Sequence, residues 1–113
     1  MDKSEVIQAL DETKRVLIEK GWTQGYYAVT ADETHCEPED VDAVAFCVMG
    51  AATKACETLG VGMMPKVRNA LLSALPPTSS PMDVFEYNDE PERTFDEVLA
   101  LIDWAKELVN EQA

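Results

Sequence analysis

The stretch Thr94 to Val109, TFDEVLALIDWAKELV, decides the class of the fold. Thr94 with Glu97 three residues on is a capping box, in which each side chain satisfies a backbone N–H that the first helical turn leaves without a partner. Val98, Leu101, Ile102, Ala105, Leu108 and Val109 then recur at intervals of three and four, one apolar stripe on a helix. No other segment of the chain has so clean a stripe.

The same period appears upstream. Val6, Leu10, Thr13 and Leu17 form a stripe, flanked by Ile7 and Ile18, that predicts a helix over 4–20 with Ser4 as N-cap and Gly21 as its stop. Val44, Ala45, Val48, Ala51, Ala52 and Ala55 predict a second helix over 42–58, poor in charge and hence central, capped by Asp40 or Asp42 and ended by Gly60 and Gly62. A third helix should start near Pro65 and carry Val67, Leu71, Leu72 and Leu75, until Pro76 and Pro77 stop it. PPTSSP, over 76–81, reads as a stiff polar connector. Two short runs look extended, Tyr26–Val29 after Gly25 and Val84–Tyr87, and their pairing would add a small ribbon. The expectation is a mainly α, compact four-helix domain formed by residues 1–113, with at most a two-stranded ribbon.

Composition narrows the function. The chain has 22 Asp and Glu against 9 Lys and Arg, a net charge of −13. Such a chain repels phosphate backbones and anionic membranes, so direct nucleic-acid or membrane binding is not expected. Residues 31–42 contain Asp32, Glu33, Glu37, Glu39, Asp40 and Asp42 and no Lys or Arg. Residues 83–97 contain Asp83, Glu86, Asp89, Glu90, Glu92, Asp96 and Glu97 with Arg93 alone opposing them. Each segment therefore contributes −6, leaving −1 for the rest of the chain. Acids gather at helix starts for the sake of the dipole, which accounts for part of this. The sharper expectation is that the two segments meet as one anionic face for a basic partner, with Asp32, Glu33, Glu37, Glu39, Asp40, Asp83, Glu86, Asp89, Glu90 and Glu92 as its contacts.

No catalytic motif is present. Gly60-Val61-Gly62 lacks the rest of a phosphate loop, the acids do not follow a calcium-loop pattern, and the three cysteines show no zinc spacing. No cofactor and no metal is implied. Cys47 with His35, the one histidine, is the only nucleophile–base pair to consider. A thiol in the middle of the apolar second helix should be buried and inert. Cys36, in the acidic loop, should be exposed, with its thiolate disfavoured by the neighbouring carboxylates. The charged N-terminus has no apolar signal segment, and no stretch nears the ~18 apolar residues of a membrane span, so a cytoplasmic chain with reduced thiols is expected.

Gly21-Trp22-Thr23-Gln24-Gly25, Phe46-Cys47-Val48-Met49-Gly50-Ala51 and Tyr87-Asn88-Asp89 with Arg93-Thr94 occur in that order. Over about residues 4–109 the chain resembles a domain family of unknown function found in short bacterial and phage-associated proteins. That family has a Gly-Trp run after the first helix, a Trp-Cys-x-x-Gly-Ala motif on a central helix and a Trp-Asn-Asp motif before the last helix. Phe46 and Tyr87 stand where the family pattern has tryptophan. The resemblance implies a fold and a mobile-element origin, and no activity.

The leading expectation is a non-enzymatic interaction protein whose acidic face binds a basic surface. If the gene is a phage's, its natural form is an inhibitor of a host nucleic-acid-binding complex, anti-CRISPR or otherwise anti-defence, mimicking nucleic acid in part. The alternative is a small-molecule-binding or enzymatic domain with a pocket around Trp22, Gln24, Tyr26, Asn88, Asp89 and Arg93. A homodimer that completes the second or third helix is a third arrangement.

Overall fold

A computed structural model describes residues 3–57, 59, 62–76 and 83–111. Helices α1 (Lys3–Glu19), α2 (Val48–Cys56), α3 (Met63–Ala74), α4 (Val84–Asp89) and α5 (Phe95–Glu111) enclose one core, and strands β1 (Ala28–Val29), β2 (His35–Cys36) and β3 (Ala45–Phe46) form a small antiparallel sheet in the order β2-β1-β3. The chain is mainly helical, as expected, with a radius of gyration of 13.4 Å, close to the ~13 Å of a compact chain of this length.

The long helices bury the stripes read from the sequence. Leu10 and Leu17 of α1, Val48, Ala51 and Ala52 of α2, Val67 and Leu71 of α3, and Leu101, Ile102 and Ala105 of α5 are all fully buried. Thr13 completes the α1 stripe because its hydroxyl donates to the Ala9 carbonyl at 2.8 Å, which makes it tolerable in the core. Ile18, read as flanking that stripe, is exposed. Helices α1 and α5 run antiparallel, tied by Lys14–Asp103 at 2.9 Å and Lys106–Asp11, while Lys3 reaches the Asn110 carbonyl. Partly exposed pairs of this kind contribute at most about 1 kcal/mol each; the apolar seam holds the helices together.

Four local expectations change. Ser4 lies inside α1 and is not its cap. The second helix starts at Val48, not 42, because the backbone before it is engaged in the sheet. Val44 N–H donates to Val29 O, Phe46 N–H to Gly21 O and Cys47 N–H to Tyr27 O. Val84–Tyr87 is not a strand: Asp83 caps Phe85 N–H at 2.7 Å, Glu86 accepts from Asp83 N–H at 3.3 Å, and the resulting capping box starts α4. The ribbon has three strands, with β1 paired to β2 and β3 and not to 84–87. The capping box of α5 forms as read, with Thr94 N–H donating to Glu97 Oε1 at 2.9 Å and Glu97 N–H to Thr94 Oγ1 at 3.2 Å. Helix α3 begins two residues before Pro65, after Gly62 at φ +91°. Gly60 and most of the 76–81 connector lie outside the described residues.

The first turn of α2 presses on β1. A Cβ on Gly50 would sit 1.9 Å from the Tyr27 carbonyl oxygen, a backbone atom that cannot swing away. Gly50 is thus the residue that lets helix and strand touch. Gly50→Ala should cost about 3 kcal/mol, at the upper end of overpacking penalties, seen as a lower denaturation midpoint with unchanged slope. An unchanged midpoint would show that the contact is not tight.

Candidate functional site

Three separate stretches, 22–25, 47–50 and 87–93, come together around Asn88 at the end of α4. Asn88 is 1% exposed. Its Oδ1 accepts from Trp22 Nε1–H at 2.8 Å and from Val48 N–H at 3.0 Å. Its Nδ2 donates to Thr23 O at 3.1 Å and to Asp89 Oδ1 at 2.8 Å. The two groups facing Oδ1 can only donate and the two facing Nδ2 accept, so the amide has one orientation and no unused capacity.

Neighbouring residues extend the junction. Asp89 Oδ1 also accepts from Gly25 N–H at 2.9 Å, and Gly25 adopts φ +89°, a conformation that glycine takes without strain. Gln24 Nε2 donates to the carbonyls of Asn88 at 2.9 Å and Glu90 at 2.7 Å. The Trp22 ring stacks on Phe95 with centroids 5.9 Å apart. Arg93 closes the α4–α5 turn. Its Nε donates to Tyr87 O at 2.8 Å, and its guanidinium carbon lies 3.5 Å over the Tyr87 ring. Glu90 and Glu97 flank the same guanidinium at 3.2 and 3.4 Å, with the Arg93 side chain only 12% exposed. Such an arrangement combines charge-assisted bonds with cation–π attraction.

Of the six residues read as a pocket, Trp22, Gln24, Asn88, Asp89 and Arg93 are thus drawn into a joint between the start of the chain and its last third. Tyr26 stands outside it, half-exposed and stacked on His35 at 5.3 Å. Tyr27 meets Phe85 edge-on at 5.0 Å.

Cys47 is not mid-helix. It occupies the N-cap of α2, with Sγ accepting from Gly50 N–H at 3.3 Å. Helix N-termini usually lower a thiol's pKa. Here burial outweighs that and pushes it up to about 11, with the Asp89 carboxylate adding to the rise while the Gly50 and Met49 amides oppose it. His35, in the outer strand β2, stacks on Tyr26 and does not bond to Cys47. The Cys36 thiol is also raised, by desolvation first and then by Asp40, Asp42 and Glu37.

The acids divide by what they do. Asp32 accepts from the Thr30 hydroxyl and from Thr34 N–H, which lowers its pKa. Asp40 accepts from Asp42 N–H at 2.9 Å. Asp83 and Glu86 form a cap, Asp89 holds Gly25, and Glu90 holds Arg93. Glu33 turns the hairpin at φ +66°. The carboxylates of Glu37, Glu39, Asp42 and Glu92 are exposed and bond to no described residue. Among the described residues, no group of three or more His, Cys, Asp or Glu is placed to hold a metal.

A small, acidic, mainly helical chain with an appended three-stranded sheet and an asparagine-centred joint is the class these features define. The chain belongs to the family of unknown function DUF6197, whose model matches residues 1–108. No curated protein and no solved structure matches it.

Asn88→Ala strips partners from the buried Val48 N–H, the half-buried Trp22 indole N–H and the Thr23 carbonyl. It should lower stability by about 4 kcal/mol, since each buried polar group left alone costs about 1–3 kcal/mol. Chemical denaturation measures this; a loss below about 1 kcal/mol would mean the joint is not structural. Cys47, studied with Cys36→Ser and Cys56→Ser in the same chain, should react with a disulfide reagent at pH ~8 only as fast as the protein opens, because its thiolate forms only above that pH. Rapid labelling of the folded protein would contradict the burial that raises it.

Proposed function

We propose that the protein is a non-enzymatic interaction protein whose acidic surface engages a basic protein surface. The observation that carries this reading is that both acidic segments are moored to one short run, 24–27. Asp89 and the Glu90 carbonyl bind Gly25 and Gln24, and Phe85 packs on Tyr27, while His35 of the other segment stacks on Tyr26. Tyr26 and Tyr27 remain about half-exposed between them, and half-exposed tyrosines are common interface anchors. No residue of the 31–42 segment forms an ion pair with a described cation. Its charge is therefore open to a partner. A partner built to hold phosphates offers the complementary surface, so an inhibitor of a nucleic-acid-binding complex is the form that fits, phage-encoded anti-defence proteins among them.

The alternative of a ligand pocket around Trp22 and Asn88 gains nothing from this geometry, because the carboxamide of Asn88 is fully engaged within the fold.

The acids that hold no turn or cap allow a clean test. Glu37→Gln, Glu39→Gln, Asp42→Asn and Glu92→Gln together should not lower the unfolding midpoint, since they break no bond to a described residue and relieve repulsion. Binding to a basic nucleic-acid-binding protein, followed by calorimetry, should weaken at least tenfold and become less sensitive to salt between about 50 and 300 mM. Wild-type binding that ignores salt, or a quadruple variant that binds like the wild type, would overturn the reading.

A further inference from the structure

The connection from β2 to β3, which carries much of the first acidic segment, also exposes apolar side chains. Val41 is 96% exposed and Val44 42%. They border a groove of about 610 Å³, together with Ala31 and the carboxylate-bearing Asp32 and Asp42. Both sides of the groove are held by hydrogen bonds. On one side Thr30 N–H donates to Thr34 O and Glu33 N–H to Thr30 O, each at 2.9 Å, with Asp32 bridging Thr30 and Thr34. On the other, Pro38 and Ala43 are buried, Ala43 N–H donates to Asp40 O at 3.1 Å, Asp42 N–H donates to the Asp40 carboxylate, and Val44 N–H donates to Val29 O at 2.9 Å. Val41 is therefore displayed at the tip of a fixed turn, between two aspartates. A floppy loop would leave an aliphatic side chain in water at little consequence; a fixed turn that presents one is pre-organised for contact.

We propose that this groove takes a segment of the basic partner in which an aliphatic side chain is flanked by lysine or arginine, the aliphatic group lying against Val41 and Val44 and the cations against Asp32 and Asp42. The inference rests on the acidic-interaction reading above and names its docking site. Charge chooses this occupant. A second copy of the chain would bring the six acids of 31–42 against six more, with no Lys or Arg in that segment to offset them. A wholly cationic segment would satisfy the carboxylates and leave the valines wet. The apolar contact adds a component that salt does not screen, and so distinguishes one basic surface from another.

Two synthetic peptides of equal charge test it on the intact protein: Arg-Lys-Leu-Lys-Arg, and the same sequence with serine in place of leucine. Titration followed by backbone amide shifts should show the leucine peptide binding about tenfold tighter, with shifts at 30–34 and 41–44, a difference of about 1.4 kcal/mol. Val41→Ser should remove that advantage while leaving the serine peptide's affinity and the protein's stability unchanged. Asp42→Asn should weaken both peptides alike. Equal affinity for the two peptides, with salt-sensitive binding retained, overturns the groove and leaves the acidic surface standing. Shifts confined to other residues do the same. Absence of salt-sensitive binding by either peptide overturns both. Dimerisation that Val41→Ser abolishes would make a second copy the occupant, against the proposal.

Discussion

Asn88 holds together parts of the chain that share no continuous helix or strand. Its carboxamide joins the indole of Trp22, the first amide of α2 and the carbonyl of Thr23, all 40 or more residues away in sequence. The Val48 amide is buried and the Trp22 and Thr23 groups are partly so, and polar groups withdrawn from water need partners within the protein. One planar group with two acceptor sites and two donors supplies them all. A carboxylate at 88 would meet two acceptors with an acceptor, and a leucine would leave three groups alone, since the Asp89 carboxylate keeps Gly25 N–H. The helices would still have their apolar stripes, but the segment 22–25 would lose its fixed place against α4.

That placement in turn sets the sheet. Gly21 and Thr23 bond along β3, and the Tyr27 carbonyl accepts from Cys47 N–H where α2 begins. The same carbonyl lies so near Gly50 that no side chain fits there. The Cys47 thiol caps the helix from inside this crowded corner, and its raised pKa follows from that burial and not from any catalytic arrangement. The three motifs that suggested a family relationship thus meet at one joint: Trp22 and Gly25 from the first, Cys47 to Gly50 from the second, Asn88 and Asp89 from the third. Their chemistry is that of a fastener.

Much of the helical frame was legible in sequence, because amphipathic period and capping chemistry are local. α5 with its Thr94–Glu97 box, the α1 stripe and the Leu71 face of α3 all follow from spacing alone. What misled was equally local. Val44, Ala45 and Val48 mimic a helical stripe, yet backbone hydrogen bonds to Gly21, Thr23, Tyr27 and Val29 hold 44–47 extended. Around Val84–Tyr87 the aromatic and β-branched content outweighed a legible signal, Asp83 followed by Glu86, which is the same capping box recognised eleven residues later. Of the candidate pocket residues, Trp22, Gln24, Asn88, Asp89 and Arg93 lie together, and Tyr26 lies apart from them. The role of the former as a joint was not legible, since it depends on which hydrogen bonds are satisfied, and the bonds that join its three stretches span 40 to 66 residues of sequence.

The acidic character can then be read by subtraction. A carboxylate that caps a helix, closes a turn or clamps Arg93 has a reason to exist in the fold, and Asp32, Asp40, Asp83, Glu86, Asp89, Glu90 and Glu97 all have one. These charges raise stability locally while adding to the repulsion that a chain of −13 must bear. Glu37, Glu39, Asp42 and Glu92 add to the repulsion with no bond to a described residue in return. Three of the four lie in the one segment that has no lysine or arginine, beside a valine that the backbone holds out in water. Charge without a local counterion and an aliphatic side chain without a cover are each mildly unfavourable alone. They occur together in the hydrogen-bonded connection between β2 and β3, where the contact we propose with a surface both cationic and apolar would relieve both at once.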